Sequence, residues 1–309
     1  MFSITKLTIN FRNSGCFSVF NKYCAKFEVV LSVNVLEMKI SIYTGKEGED
    51  VVRSVNQLVS ELENGGCEIY HVYEKSGLQP DTDMLLSIGG DGTFLSAAAI
   101  VGSREIPVMG VNLGRLGFLS ENRPEDVARA ILESDYTVEN RTLLSIDDAG
   151  TGIISSEFMT ALNEMTVHRS GSSMLSVQVT LNGICLPTYW ADGLVVSTSS
   201  GSTAYSLSVG GPIVLPEAKV LIVSPIAPHN LNVRPLIVPD DSELVLKMTS
   251  RDGDFVFSTD NRSMKLSSGD TLYVKMAQFS LKRVRLNRSE FINALTQKLY
   301  WGEDIRNIK

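Results

Sequence analysis

Met84-Leu85-Leu86-Ser87-Ile88-Gly89-Gly90-Asp91-Gly92-Thr93-Phe94-Leu95-Ser96 decides the fold. Five residues of strand character enter a glycine-rich turn, and an apolar run from Phe94 to Val101 leaves it as a helix. Upstream, Lys39 to Tyr43 reads as a buried strand, and Val51, Val52, Val55, Leu58, Val59 and Leu62 mark one helix face that Gly65-Gly66 stops. Cys67 to Val72 gives another strand. Downstream, Pro107 to Val111 reads as a strand, and a helix starts at Pro124, a residue suited to the first helical turn, and runs to about Glu133. This β-α alternation predicts a Rossmann-like α/β domain over 38–138, with a mainly parallel sheet and ligands at the carboxyl ends of its strands.

After Asp135 the helical period disappears. Leu175 to Leu181 alternates apolar and polar residues and meets Asn182-Gly183, a pair favoured in tight hairpins. Strand-like runs recur at 194–197, 244–248, 255–257, 272–276 and 281–286. We expect a mostly-β domain of β-sandwich type over 139–286. A final helix over 287–309, capped by Ser289 and carrying Phe291, Ile292, Leu295 and Leu299 on one side, would pack back on the first domain. Residues 1–37 read as an extension, either a targeting peptide or a misassigned start with translation beginning at Met38.

The 309 residues are 43% hydrophobic, enough for two separate cores. A net charge of −7 leaves no basic stripe for a nucleic-acid backbone. Phe27 to Leu36 is too short to span a bilayer. Cys16, Cys24, Cys67 and Cys185 are scattered without a C-x-x-C pair, which reads as free thiols in a reducing cytoplasm. The chain lacks G-x-x-x-x-G-K-[ST], because Gly45-Lys46 is followed by Glu47, and it lacks G-x-G-x-x-G after a strand.

The turn itself carries chemistry. Gly89, Gly90, Gly92 and Thr93 form a candidate phosphate loop, where backbone can approach an anion and free helix-terminal amides favour it. Asp91 is a candidate general base; the same carboxylate can also simply cap the helix. Asn112 to Leu119 is a second glycine segment after the next strand, able to face the same crevice. Asn163-Glu164 offers an amide and a carboxyl for ribose hydroxyls. The run from Asp192 to Ser208 gathers hydroxyls, a glycine and Tyr205, suited to sugar, phosphate and base contacts, or equally to a polar loop with Tyr205 as packing. Tyr189 and Trp190 read as packing at the edge of the β domain.

Taken in order, Gly89 to Thr93, Asn112 to Leu119, Asn163-Glu164, Asp192 to Ser208 followed by Gly210-Gly211-Pro212, and Pro225 to His229 resemble the NAD kinase family. The likeness spans nearly everything after Met38 and rests most on Asp192 to Tyr205. It implies Mg2+-dependent transfer of the ATP γ-phosphate to the 2′-hydroxyl of the adenosine ribose of NAD, giving NADP. By that likeness Asp91 takes the hydroxyl proton and Gly92 lies close to the dinucleotide. Asn163 and Glu164 hold ribose and adenine groups, and Asp192 contacts the nicotinamide side. Ser200, Thr203, Ala204, Tyr205, Ser206, Leu207 and Ser208 belong to the NAD-binding block. Ala227 and His229 reach NAD bound by a neighbouring subunit, so a homodimer or homotetramer is implied. Mg2+ would arrive with ATP, since no cluster resembles an all-protein metal site. Thr198-Ser199-Ser200 departs from the family's Thr-Pro pattern, losing proline's fixed φ. A lipid kinase with the same glycine core is an alternative, although it needs an apolar acceptor site; a non-catalytic NAD(P) sensor is another.

Overall fold

In the computed structural model, residues 38–45, 49–114, 117–286 and 291–302 are described. The 1–37 extension with Cys16 and Cys24, Lys46-Glu47, Arg115-Leu116 and the Ser289 cap lie outside them.

The alternation around the glycine turn is realised as β1 (Lys39–Thr44), α1 (Glu49–Asn64), β2 (Glu68–His71), β3 (Met84–Ile88), α2 (Asp91–Val101), β4 (Val108–Val111), α3 (Pro124–Leu132) and β5 (Tyr136–Arg141). The sheet order is β2-β1-β3-β4, all parallel, followed by the strand Leu281–Leu286 and then β5. The chain leaves β1 toward one edge and later enters β3 on β1's other side, so the carboxyl ends of β1 and β3 form a topological switch point, where open α/β sheets bind ligands. The glycine turn sits there. β1 and β3 are in register from Ile40↔Met84 to Thr44↔Ile88.

Helix α1 buries Val55, Leu58 and Leu62 against the sheet. Val52, expected on that face, is exposed. Helix α2 begins at Asp91 rather than Phe94, because Gly90 is its extended N-cap and Asp91, Gly92 and Thr93 form its first turn. All five residues of β3 are buried, as a strand covered on both faces requires.

A short helix, α4 (Tyr205–Ser208), and two antiparallel sheets make up most of the rest. One runs in the order 184–185, 175–181, 244–250, 271–276, 144–147, 160–161; the other runs 236–239, 220–226, 193–198, 164–169, 254–259, 262–267. Val177, Leu246 and Val274 from the first interdigitate with Val167, Val196 and Phe257 from the second in one core, the expected sandwich packing. Asn182 (φ 49°) and Gly183 (φ 80°) form the hairpin turn that their sequence predicts.

The strand Leu281–Leu286 differs from the expectation that it belongs to the β half. It pairs with β4 and β5 in the first sheet, since an alternating pattern specifies a strand but not its partner. Helix α5 (Phe291–Leu299) follows, buries Ala294 and Leu295, and returns to the first domain as expected: Phe291 meets Phe118 with ring centroids 6.1 Å apart. Tyr189 is buried, whereas Trp190, also read as packing, is 45% exposed. Among the described residues, no helix is long and apolar enough to cross a membrane.

Candidate active site

Gly89 leaves β3 with φ 152°, a conformation that glycine adopts most readily, and a Cβ there would overlap the Thr93 side chain. Nothing lies within 4 Å of where a Cβ would stand at Gly90 or Gly92, so that face of the turn is open. The first amides of α2 have no partner within the helix and aim along its positive end.

Asp91 does not cap α2. Its carboxylate crosses to the second glycine segment, where Oδ2 accepts the N–H of Phe118 at 2.8 Å and Oδ1 accepts those of Leu119 and Ser120 at 3.0 and 2.9 Å. Three amide donors fix the position of this one carboxylate. The two glycine segments therefore meet at Asp91. Gly117 is required at this approach, because a Cβ would overlap the Asp91 carboxylate. Asn112 braces the loop from inside: its Nδ2 donates to the Ser120 carbonyl at 2.9 Å, and its Oδ1 accepts the Gly114 N–H at 2.6 Å.

Asn163-Glu164 joins this turn through residues to which the sequence assigned no role. The Asp260 carboxylate accepts amides from Leu162 (2.9 Å), Asn163 (2.8 Å) and Glu164 (3.3 Å). Asn261 Nδ2 donates to the Gly92 carbonyl at 3.3 Å and to Ser96 Oγ at 3.0 Å. Arg262 lies 3.7 Å from Asp260 and donates to the Thr160 carbonyl at 2.8 Å. One tight turn thus holds both motifs together. Its signal in sequence was weak because only the pairing of 254–259 with 164–169 brings Asp260 to Glu164.

Glu164 is buried, and its Oε2 has no hydrogen-bond partner. Burial, reinforced by the nearby Asp260 charge, pushes its carboxyl up to about 8, against the Tyr205 N–H that it accepts. Burial also pushes Asp260 upward, but three amides and Arg262 oppose that shift. Of the two, Glu164 carries the proton at neutral pH. A buried, protonated carboxyl with an orphaned oxygen is ready to hydrogen-bond a ligand.

The hydroxyl-rich run continues from the strand Gly193–Thr198 into a 3-10 turn, Ser200–Thr203, and a short helix, Tyr205–Ser208. Thr198 ties it to the Asn163 segment, since its N–H donates to the Asn163 carbonyl at 2.9 Å and its Oγ1 to the Leu162 carbonyl at 2.6 Å. Tyr205 and Ser208 are exposed, while Ser200, Thr203, Ala204 and Leu207 are half-buried. Ser206 is fully buried against Gly211, so its hydroxyl packs the loop rather than facing the opening.

Asp192, Ala227 and His229 lie elsewhere. Asp192 precedes the strand whose far end carries Ser199, a separation of about 20 Å at strand rise. It is clamped by Arg169, with Nε to Oδ1 at 2.7 Å and Nη2 to Oδ2 at 3.3 Å. His229 donates its N–H to the Trp190 carbonyl at 2.8 Å, and Ala227 takes a left-handed φ of 44°, uncommon for a non-glycine residue. The predicted residues therefore fall into two groups: Asp91, Asn163, Glu164 and the Ser200 to Ser208 block in one, and Asp192, Ala227 and His229 in the other. Among the described residues, no three His, Cys, Asp or Glu side chains cluster as a metal site.

Residues 41–135 match the family model described as the ATP-NAD kinase N-terminal domain, and residues 162–286 match the ATP-NAD kinase C-terminal domain. The chain is 43% identical over 247 residues to the NAD kinase of Flavobacterium psychrophilum, covering 77% of this chain and 84% of that one. It is 44% identical over 267 residues to that of Bacteroides fragilis, covering 79% and 91%. Its fold matches the crystal structure of yeast NADH kinase complexed with NADH at a TM-score of 0.78 (24% identity, 88% and 90% of the chains). It also matches an NAD kinase from Archaeoglobus fulgidus in complex with ATP at 0.71 (22% identity, 85% and 99%).

Proposed function

The chain belongs to the NAD kinase family, and from that premise we propose that it transfers the γ-phosphoryl group of ATP to the 2′-hydroxyl of the adenosine ribose of NAD. The observation that carries this reading is the Asp260-Asn261 turn. It hydrogen-bonds Gly92 of the glycine turn through Asn261 and the Asn163-Glu164 backbone through Asp260, so base, phosphate loop and ribose-binding pair form one site.

Asp91 accepts the 2′-hydroxyl proton as that oxygen bonds to the γ-phosphorus and ADP departs with the bridging oxygen. Gly90 and Gly92 approach phosphate oxygens through their amides and Thr93 through its hydroxyl at the start of α2, while Gly89, whose N–H is taken by the Val111 carbonyl at 2.8 Å, shapes the turn. Glu164, protonated, donates to ribose or adenine acceptors, and Asn163 supplies a second polar group. Ser200, Thr203, Ala204, Tyr205 and Ser208 line the adenosine side, with Leu207 beneath. Mg2+ would come bound to ATP and, when present, would screen the triphosphate charge.

Asp192, Ala227 and His229 are too far along the sheet to share this site within one chain. They complete the site of a neighbouring copy in a homodimer or homotetramer. Cys67 and Cys185 are free thiols, consistent with the cytoplasmic compartment expected of the protein.

The test incubates the protein with NAD, ATP and Mg2+ and detects NADP with an NADP-specific dehydrogenase, alongside Asp91→Asn. Product that requires Asp91, with NAD binding intact in the variant, supports the reading. NAD binding without product from any donor would instead make the chain a sensor.

A further inference from the structure

Two consecutive carbonyls on the back of the 117–120 loop are held by cations. Lys298 Nζ of α5 donates to the Gly117 carbonyl and lies 4.6 Å from the centroid of the Phe118 ring. Arg283 Nη2, from the strand Leu281–Leu286, donates to the Phe118 carbonyl at 3.2 Å and to Glu121 Oε1 at 2.6 Å. A peptide group is planar and trans, so its C=O and N–H point in opposite directions. Fixing the Gly117 carbonyl therefore aims the Phe118 N–H, and fixing the Phe118 carbonyl aims the Leu119 N–H. Both amides end on Asp91.

We propose that Lys298 is a positioning residue for the phosphoryl-transfer reaction: through the Gly117–Phe118 peptide it orients the Phe118 amide that holds the Asp91 carboxylate in place. The inference rests on the reading of Asp91 as the base. Burial pulls the Lys298 ammonium below the usual lysine range, while Glu121 and Asp91 draw it back. The charged groups beside this loop are Lys298 from α5, Arg283 from its strand with Glu139 behind it, and Glu121 from the loop itself.

The test measures kcat and the NAD KM for Lys298→Met and Lys298→Arg, with thermal melts. Losing the donor frees the Gly117 carbonyl and lets the Phe118 N–H turn away from Asp91. In Lys298→Met kcat should fall about tenfold, with the NAD KM changed less than about threefold and the melting temperature close to that of the wild type. Lys298→Arg, which keeps a cationic donor, should recover most of kcat. A loss of kcat that tracks a lowered melting temperature and is not recovered by Lys298→Arg would overturn the proposal and make Lys298 merely a packing residue. Asp91→Asn separates the two failures. If Asp91→Asn stays active, the base reading falls; if it is inactive while Lys298→Met keeps the wild-type kcat, only the positioning role falls.

Discussion

The carboxylate of Asp260 accepts the backbone N–H of Asn163 at 2.8 Å, across 97 residues of chain. Two further amides and Arg262 converge on the same carboxylate, which is almost wholly buried. The geometry of the Asn163-Glu164 pair is therefore set by a side chain on another strand. Asp260→Ala leaves three amides without their acceptor and removes the carboxylate beside the Arg262 guanidinium, a loss on the order of 3–5 kcal/mol for breaking a buried charged network. Urea unfolding of the variant should show that loss together with a raised NAD KM. A change under about 1 kcal/mol would mean that the turn is held by its backbone alone.

Glu164 gives a pH signature. Its folded-state pKa of about 8 stands above its ordinary value of 4.5, so the folded protein binds the extra proton between the two. Stability from this group is whole below about pH 4.5, declines as pH rises and is lost beyond about pH 8. Glu164→Gln, neutral at every pH, should match the wild type near pH 4.5 and melt several degrees higher at pH 9. Parallel melting curves across that range would show that Glu164 is ionised in the fold.

How much of this was legible is clearest at two places. Gly89 to Thr93 could be read because a mostly apolar strand, two glycines and a helix are successive in the chain, and local order dictates the turn. Asp260 and Lys298 could not, because their partners at 162–164 and 117 are set by strand register and by the face that α5 presents. Neither leaves a period in the sequence. The strand Leu281–Leu286 shows the same limit: its alternation was plain, but its place beside β4 was not. Asp192 and His229 were legible as residue types, while their distance from Asp91 follows only from the direction of the strand Gly193–Thr198.

Gly117→Ala tests the closeness of the two glycine segments. A methyl group at this position would occupy the space of the Asp91 carboxylate, so either the loop or the carboxylate must move. We expect kcat to fall at least about tenfold, with overall stability reduced by only about 1–2 kcal/mol, because Gly117 itself is only half-buried and outside the core clusters. Wild-type kcat in the alanine variant would mean that Asp91 works from a position independent of this loop.

The separation of Asp192 and His229 from Asp91 makes a prediction about mixed assemblies. If the second group completes a neighbour's site, Asp91→Asn and Asp192→Ala each disable every site in their own homo-oligomers. Co-refolding equal amounts of the two variants then creates interfaces where an intact Asp91 meets an intact Asp192. About a quarter of wild-type activity should return, since random pairing of two subunit types supplies both intact halves to one site in four. Arg169 must be left unchanged, because it clamps Asp192 through two contacts and its loss would displace the carboxylate in every subunit. Mixtures no more active than the sum of the separate variants would place the whole site within one chain, and Asp192 would then act only as the partner of Arg169.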